Sequence, residues 1–189
     1  MSNHYLVVLA ASAGGIKAVS TILSNLPANF ATPIAIVQHL DPNYQSYLAE
    51  ILDRRTPLLV KQATDLDILT PGVVYVAPPN WHLVVNPDAT LSLSNAEKVR
   101  HVRPAADILF ESAANSFQER VIAIVLTGMD ADGKDGVMAV KRAGGKVIAQ
   151  DEATSQFFSM PSNAINTGCV DFILPLKEIA PNLLKLVAN

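Results

Sequence analysis

Three polar side chains follow three apolar runs in this sequence, and their types are those of acyl transfer. Ser12 comes just after residues 5–10 (YLVVLA), His39 just after residues 33–38 (PIAIVQ), and Asp130 and Asp132 lie in the loop after residues 121–126 (VIAIVL). If the runs are strands of one parallel sheet, all three positions open on the same edge, where such sheets carry their sites. A serine hydroxyl is a weak nucleophile until an imidazole accepts its proton. A carboxylate must then hold that imidazole in one tautomer and stabilise its cation. The set asks for no metal and no cofactor.

Each residue also has a plainer reading. Ser12 is a common residue type for capping a following helix. His39 would serve as a buried structural histidine, and Asp132 as an Asx-turn residue in a glycine-rich loop. Taken singly these readings lead. Taken together, three such residues at one sheet edge bring the triad to parity with them. Gly14 and Gly15 allow a sharp turn and a close backbone approach. The helix beyond them aims its first amides, and their partial positive charge, at the same place. With the amides of residues 127–133 these could form an oxyanion hole, though sequence does not choose among them.

The elements that must position these groups alternate. Strands at 5–10, 33–38, 121–126, 146–150 and 170–174 are interleaved with helical patterns at 16–26, 44–55, 105–117, 136–143, 160–167 and 176–187. Continuous apolar strands between helices predict a doubly wound, mostly parallel α/β sheet covered on both faces. The middle differs: short segments at 60–63, 73–77, 82–86 and 91–94, punctuated by Pro-Gly, Pro-Pro-Asn and Asn-Pro-Asp, predict small antiparallel hairpins. A length of 189 residues, half of them apolar and 16% charged, suits a single domain over 1–189.

Composition and motifs also exclude. The net charge of −3 carries no basic footprint for nucleic acid or a membrane surface. One cysteine, Cys169, rules out an internal disulfide framework and disfavours a cysteine zinc site. No targeting segment and no run of 18 apolar residues is seen, so a soluble cytoplasmic protein is expected. Residues 10–15 (AASAGG) form neither G-x-G-x-x-G nor a P-loop. Ser12 is not in G-x-S-x-G, and the order Ser, His, Asp is not that of the α/β-hydrolases. Asp130, Asp132 and Asp135 lack the spacing of a Ca²⁺ loop.

Over nearly its whole length the chain resembles the catalytic domain of the chemotaxis protein-glutamate methylesterases, the CheB family. The resemblance is carried by Ala11-Ser12-Ala13-Gly14-Gly15, Val37-Gln38-His39, residues 71–78 (PGVVYVAP), residues 103–107 (RPAAD), residues 126–133 (LTGMDADG), residues 149–152 (AQDE) and Met160-Pro161. It implies a doubly wound α/β fold and hydrolysis of glutamate 5-methyl esters on chemoreceptor-type proteins, with release of methanol and deamidation of glutamine at such sites. It makes Ser12 the nucleophile, His39 the general base and Asp132, rather than Asp130, the triad carboxylate. Met129 falls at an oxyanion contact, and Ala13 and Gly14 join it as candidate substrate-binding positions. The partners implied are the cytoplasmic helices of methylated receptors and a separate response regulator or methyltransferase. Family members usually carry an N-terminal receiver domain, so the expectation here is a fragment or a stand-alone member.

Two departures stand out. The family motif reads S-T-G-G, but Ala13 replaces the threonine. Asp130 stands where the family commonly has glycine and would oppose an oxyanion unless it faces solvent. They motivate a second reading, a methylesterase-like binding module with little turnover; a third is an esterase for another substrate. Of the remaining residues, His82 and His101 are expected in exposed loops, Trp81 over the hairpin, Met129 and Met160 in packing, and Cys169 as a small buried hydrophobe. Arg100 and Arg103 are read either as contacts for an acidic receptor helix or as part of a cap network.

Overall fold

The computed structural model describes residues 4–40 and 46–188. β1 (Leu6–Ala11), β2 (Ile34–Gln38) and β7 (Val121–Val125) are buried at every position. Alternation is absent from these strands because both of their faces are covered. With β3 (Leu59–Gln62), β4 (Val73–Val76), β8 (Lys146–Gln150) and β9 (Phe172–Leu174) they form a seven-stranded sheet in the order β3-β4-β2-β1-β7-β8-β9. Every pairing in it is parallel.

Side chains alternate between two cores. Val7, Leu9, Ile36 and Ile124 point to the side covered by α1 (Gly15–Ser24), α2 (Leu48–Asp53) and α6 (Leu176–Val187). Leu6, Val8, Val37 and Val125 point to the side covered by α3 (Ala106–Phe117), α4 (Lys134–Arg142) and α5 (Ser159–Ile165). The buried residues of α1 include Ala18, Val19, Ile22 and Leu23, and those of α3 include Leu109, Phe110, Ala113 and Phe117. That three- and four-residue spacing is one helical face. Removing each large aliphatic side chain from water contributes about 1.5–3 kcal/mol. Among the described residues no helix is long and apolar enough to cross a membrane.

The middle segment departs from expectation. Only β5 (His82–Val85) and β6 (Leu91–Ser94) form an antiparallel hairpin, outside the main sheet. The segments expected as further hairpins are instead β3 and β4, parallel strands at its edge. Turn residues mark where the chain bends but not which neighbour it then pairs with. Burial on both faces of β4 was the stronger signal: Val74 and Val76 enter one core and Tyr75 the other. The helix expected over 44–55 covers Leu48–Asp53, and its expected start at Tyr44 and Gln45 lies outside the described residues.

Single residues also moved. His82 is buried rather than exposed, donating from Nε2 to Glu97 O and accepting Ala105 N at Nδ1. It ties the hairpin to the start of α3; His101 is exposed as expected. Trp81 and Met129 are exposed instead of packed, and Cys169 is only half-buried. Arg103 bonds Asn80 Oδ1 and the carbonyls of Asn95 and Ala96, so it fastens loops within the chain.

Candidate active site

The chain leaves β1 toward β2 on one side and β7 toward β8 on the other, so its direction reverses between β1 and β7. Crevices form at such a switch point, beyond the strand C-termini. Ser12 and His39 are the next residues after the paired positions Ala11 and Gln38. Neighbouring strands lie about 4.8 Å apart, which sets the two side by side. Their backbones are fixed together. His39 N donates to Ala11 O at 3.1 Å, and Gln38 Nε2 donates to Ser12 O at 2.8 Å and to His39 O at 3.1 Å.

Ser12 does not cap α1. The N-cap is Gly14, at φ +77°, and no side chain caps the helix. A side chain at position 14 would be strained there, and its Cβ would lie 2.6 Å from Gln156 Oε1. The hydroxyl of Ser12 is thereby left outside the helix and makes no hydrogen bond with a described residue. Ser12 and His39 both line an open groove of about 460 Å³ together with Ile16, Lys17 and Leu40.

Asp132 is wholly buried and accepts four N–H groups. His39 Nε2 lies 2.7 Å from its Oδ2, which also accepts Ala106 N at 2.6 Å. Its Oδ1 accepts Asp107 N at 3.0 Å and Gly133 N at 2.9 Å. Ala106 and Asp107 open α3, so the carboxylate sits where a helix N-terminus favours negative charge. Asp107 in turn accepts Gly136 N from the first turn of α4 and takes Arg100 Nε at 3.3 Å. Burial leads in pushing its carboxyl above the ordinary value. Arg100 is spent inside the chain, on Asp107 and Asp135, rather than presented to a partner.

The Ser12–His39 hydrogen bond expected of a triad is not formed among the described residues. Asp130 takes the second imidazole nitrogen instead: His39 Nδ1 lies 2.9 Å from Asp130 Oδ2. Burial alone would disfavour the imidazolium. The hydrogen bonds and charges of Asp130 and Asp132 overcome burial and push the His39 pKa up to about 9. Desolvation acts on Asp130 in the opposite sense. The hydrogen bond and charge of His39, the Asp132 amide and the charge of Arg100 nevertheless hold its carboxyl below the usual range. Asp130, rather than Asp132, makes the Asx turn, accepting Asp132 N on Oδ1 at 2.9 Å.

The amides around Ser12 divide into occupied and open. Ser12 N donates to Thr127 O and Gly128 N to Phe157 O, so neither is available to an oxyanion. The amides of Ala13, Gly14 and Met129 make no hydrogen bond to a described residue. Two residues that sequence reasoning passed over hold this frame. Thr127 Oγ1 bonds Ala13 O at 2.9 Å and accepts Phe157 N at 2.9 Å, while Gln150 Oε1 accepts Thr127 N at 3.0 Å. Gly128 presses against Ser12, since a Cβ there would lie 3.0 Å from Ser12 Cβ. The clue to Gln38, Thr127 and Gln150 is their place at the ends of β2, β7 and β8.

Fold and site together define a doubly wound α/β protein with a hydroxyl, an imidazole and a buried carboxylate gathered at its switch point. The comparisons specify this class further. A family model described as CheB methylesterase matches residues 7–183. A Thermotoga maritima protein named protein-glutamate methylesterase/protein-glutamine glutaminase is 40% identical over 185 residues, covering 96% of this chain and 54% of its own length. A Leptospira interrogans relative is 38% identical over 187 residues, covering 99% and 97%. The crystal structure of the Thermotoga maritima CheB methylesterase catalytic domain superposes with a TM-score of 0.94 at 39% identity, covering 98% of this chain and all of that one. The chain belongs to the CheB methylesterase family, hydrolases acting on carboxylic esters.

Proposed function

We propose that residues 1–189 form one catalytic domain that hydrolyses glutamate 5-methyl esters on methylated chemoreceptor-type proteins in the cytoplasm. Methanol leaves, and glutamine deamidation follows the same acyl chemistry. The observation that carries the reading is the placement of Ser12 beside His39, with His39 Nε2 held by the buried Asp132. The neutral imidazole accepts the Ser12 Oγ proton at Nδ1 as Oγ attacks the ester carbonyl. Asp132 keeps Nε2–H in place and stabilises the imidazolium that forms. The oxyanion sits on the open amides of Ala13 and Met129, with Gly14 beside them. Lys17 and Lys98 line the cavities flanking His39 and suit an acidic receptor helix, with a separate response regulator or methyltransferase as further partner. The relatives' names support the substrate class.

Methanol release from a methylated receptor, absent in Ser12→Ala, is the expected result, with a fluorophosphonate labelling Ser12. A folded protein that does neither sinks the reading. The second reading, a receptor-binding module with little turnover, draws on the Asp130–His39 bond. Receptor binding combined with wild-type turnover no better than that of Ser12→Ala would favour it. A strong preference for small esters over receptor peptides would favour an esterase for another substrate.

A further inference from the structure

Among the described residues, Asp130 is the charged group bonded to His39 that the acyl-transfer chemistry does not use. Its Oδ2 lies 2.9 Å from His39 Nδ1, and Nε2 is already committed to Asp132 at 2.7 Å. An ionised carboxylate only accepts hydrogen bonds, and a neutral imidazole donates from one nitrogen alone. Two carboxylates on two nitrogens therefore require the imidazolium. An imidazolium has no lone pair with which to take a proton from Ser12. We propose that Asp130 is a positioning residue that competes with Ser12 for Nδ1 of His39, holding the imidazole in a charged resting state that must open before Ser12 can be activated. This rests on the acyl-transfer reading of Ser12 and His39 given above.

The two carboxylates are unequal in the way such a gate needs. Asp132 is inaccessible and held by four N–H groups, whereas the Asp130 side chain is 34% exposed and has only His39 and one loop amide. Asn163 Nδ2 holds the Asp130 carbonyl at 3.2 Å, so the side chain can turn away while its backbone stays. Opening is proton-linked. As the carboxylate leaves, the Nδ1 proton passes to solvent and Nε2–H stays on Asp132. The Nδ1 lone pair then faces Ser12 Oγ–H.

The surrounding charges set the balance. Asp130 and Asp132 come from the β7–α4 loop. Lys17 of α1 lines the groove beside His39, and Lys98, His101 and Arg103 line the cavity on its other side. Arg100 acts on Asp130 and is itself paired with Asp107 of α3 and Asp135 of α4. The cations favour loss of the imidazole proton, and the two close carboxylates oppose it.

Two measurements on the full chain test the gate: the pH dependence of fluorophosphonate labelling at Ser12, and the NMR titration of the His39 imidazole. Both are made in the wild type and in Asp130→Gly, Asp130→Asn and Asp130→Glu. The expected wild-type labelling rises only as pH approaches about 9. In Asp130→Gly and Asp130→Asn the rise and the titration move down by about two pH units, toward the ordinary histidine value, and labelling at pH 7 increases roughly tenfold or more. Asp130→Glu restores the wild-type limb. Labelling that persists with its limb and titration unmoved in the Gly and Asn variants overturns the gate alone. Shifted labelling without methanol release from receptor overturns the glutamyl-ester substrate and leaves the gate standing. No labelling in any variant at any pH overturns the acyl-transfer reading and the gate with it.

Discussion

Ser12 and His39 stand side by side at the ends of neighbouring parallel strands, one step past the Ala11–Gln38 pair. Their proximity is written into the sheet register, whereas the hydroxyl itself bonds nothing among the described residues. Ser12→Ala is therefore expected to abolish turnover, with a loss on the order of 10⁶-fold. Its unfolding free energy should stay within about 0.5 kcal/mol of wild type. Urea denaturation beside a methanol-release assay checks the pair; a clear stability loss would show a structural role for the hydroxyl.

Asp132 joins the site to the scaffold, because one carboxylate serves both His39 and the first amides of α3. Asp132→Ala leaves those amides and the imidazole without their buried acceptor. It should cost about 3 kcal/mol or more of stability. Asp132→Asn keeps the shape but presents an N–H₂ to a set of donors, and turnover should fall by about 10⁴-fold with a smaller stability loss. Equal stability losses for the two variants would contradict the donor count.

The folded-state pKa of His39, about 9, lies above its ordinary 6.5. The native state thus binds the extra proton between those values. The stabilisation is fully present below about pH 6.5 and is lost as pH rises through about 9, amounting to about 3 kcal/mol at most. Denaturation midpoints at pH 6 and pH 9.5, compared between wild type and His39→Gln, measure it. A difference between the two proteins that is independent of pH would refute the paired imidazolium.

Thr127 is expected to matter more than a threonine in a loop ordinarily would. Its hydroxyl links Ala13 and Phe157 across the crevice. Thr127→Val should lose about 1–3 kcal/mol of stability through the unpaired Phe157 amide and Ala13 carbonyl. Labelling of Ser12 should slow roughly 10- to 100-fold as the turn shifts. Thr127→Ser should recover most of both, and the ratio of labelling rates decides.

Much of this protein was legible before any coordinate. The runs at 5–10, 33–38 and 121–126 read as buried parallel strands, because an uninterrupted apolar β-branched run needs cover on both faces. Their ends then put Ser12, His39 and Asp132 on one edge, and the family resemblance implied Asp132 rather than Asp130 as the triad carboxylate. The pairing of β3 and β4, the burial of His82 and the exposure of Trp81 were not legible. Each depends on which distant segment packs alongside, and a local pattern does not record that.

The sequence by itself determined the fold class and the residue types gathered at the switch point, since strand periodicity and strand ends are local properties. Only the tertiary structure decided how those groups share their hydrogen bonds. Asp130 and Asp132 are two residues apart in one loop, yet Asp132 lies buried against the start of α3 while Asp130 stays partly exposed. They reach opposite nitrogens of one ring. That outcome depends on the packing of α3 and on where the loop turns over β2, and it places a charged imidazole where the sequence led us to expect a base facing serine.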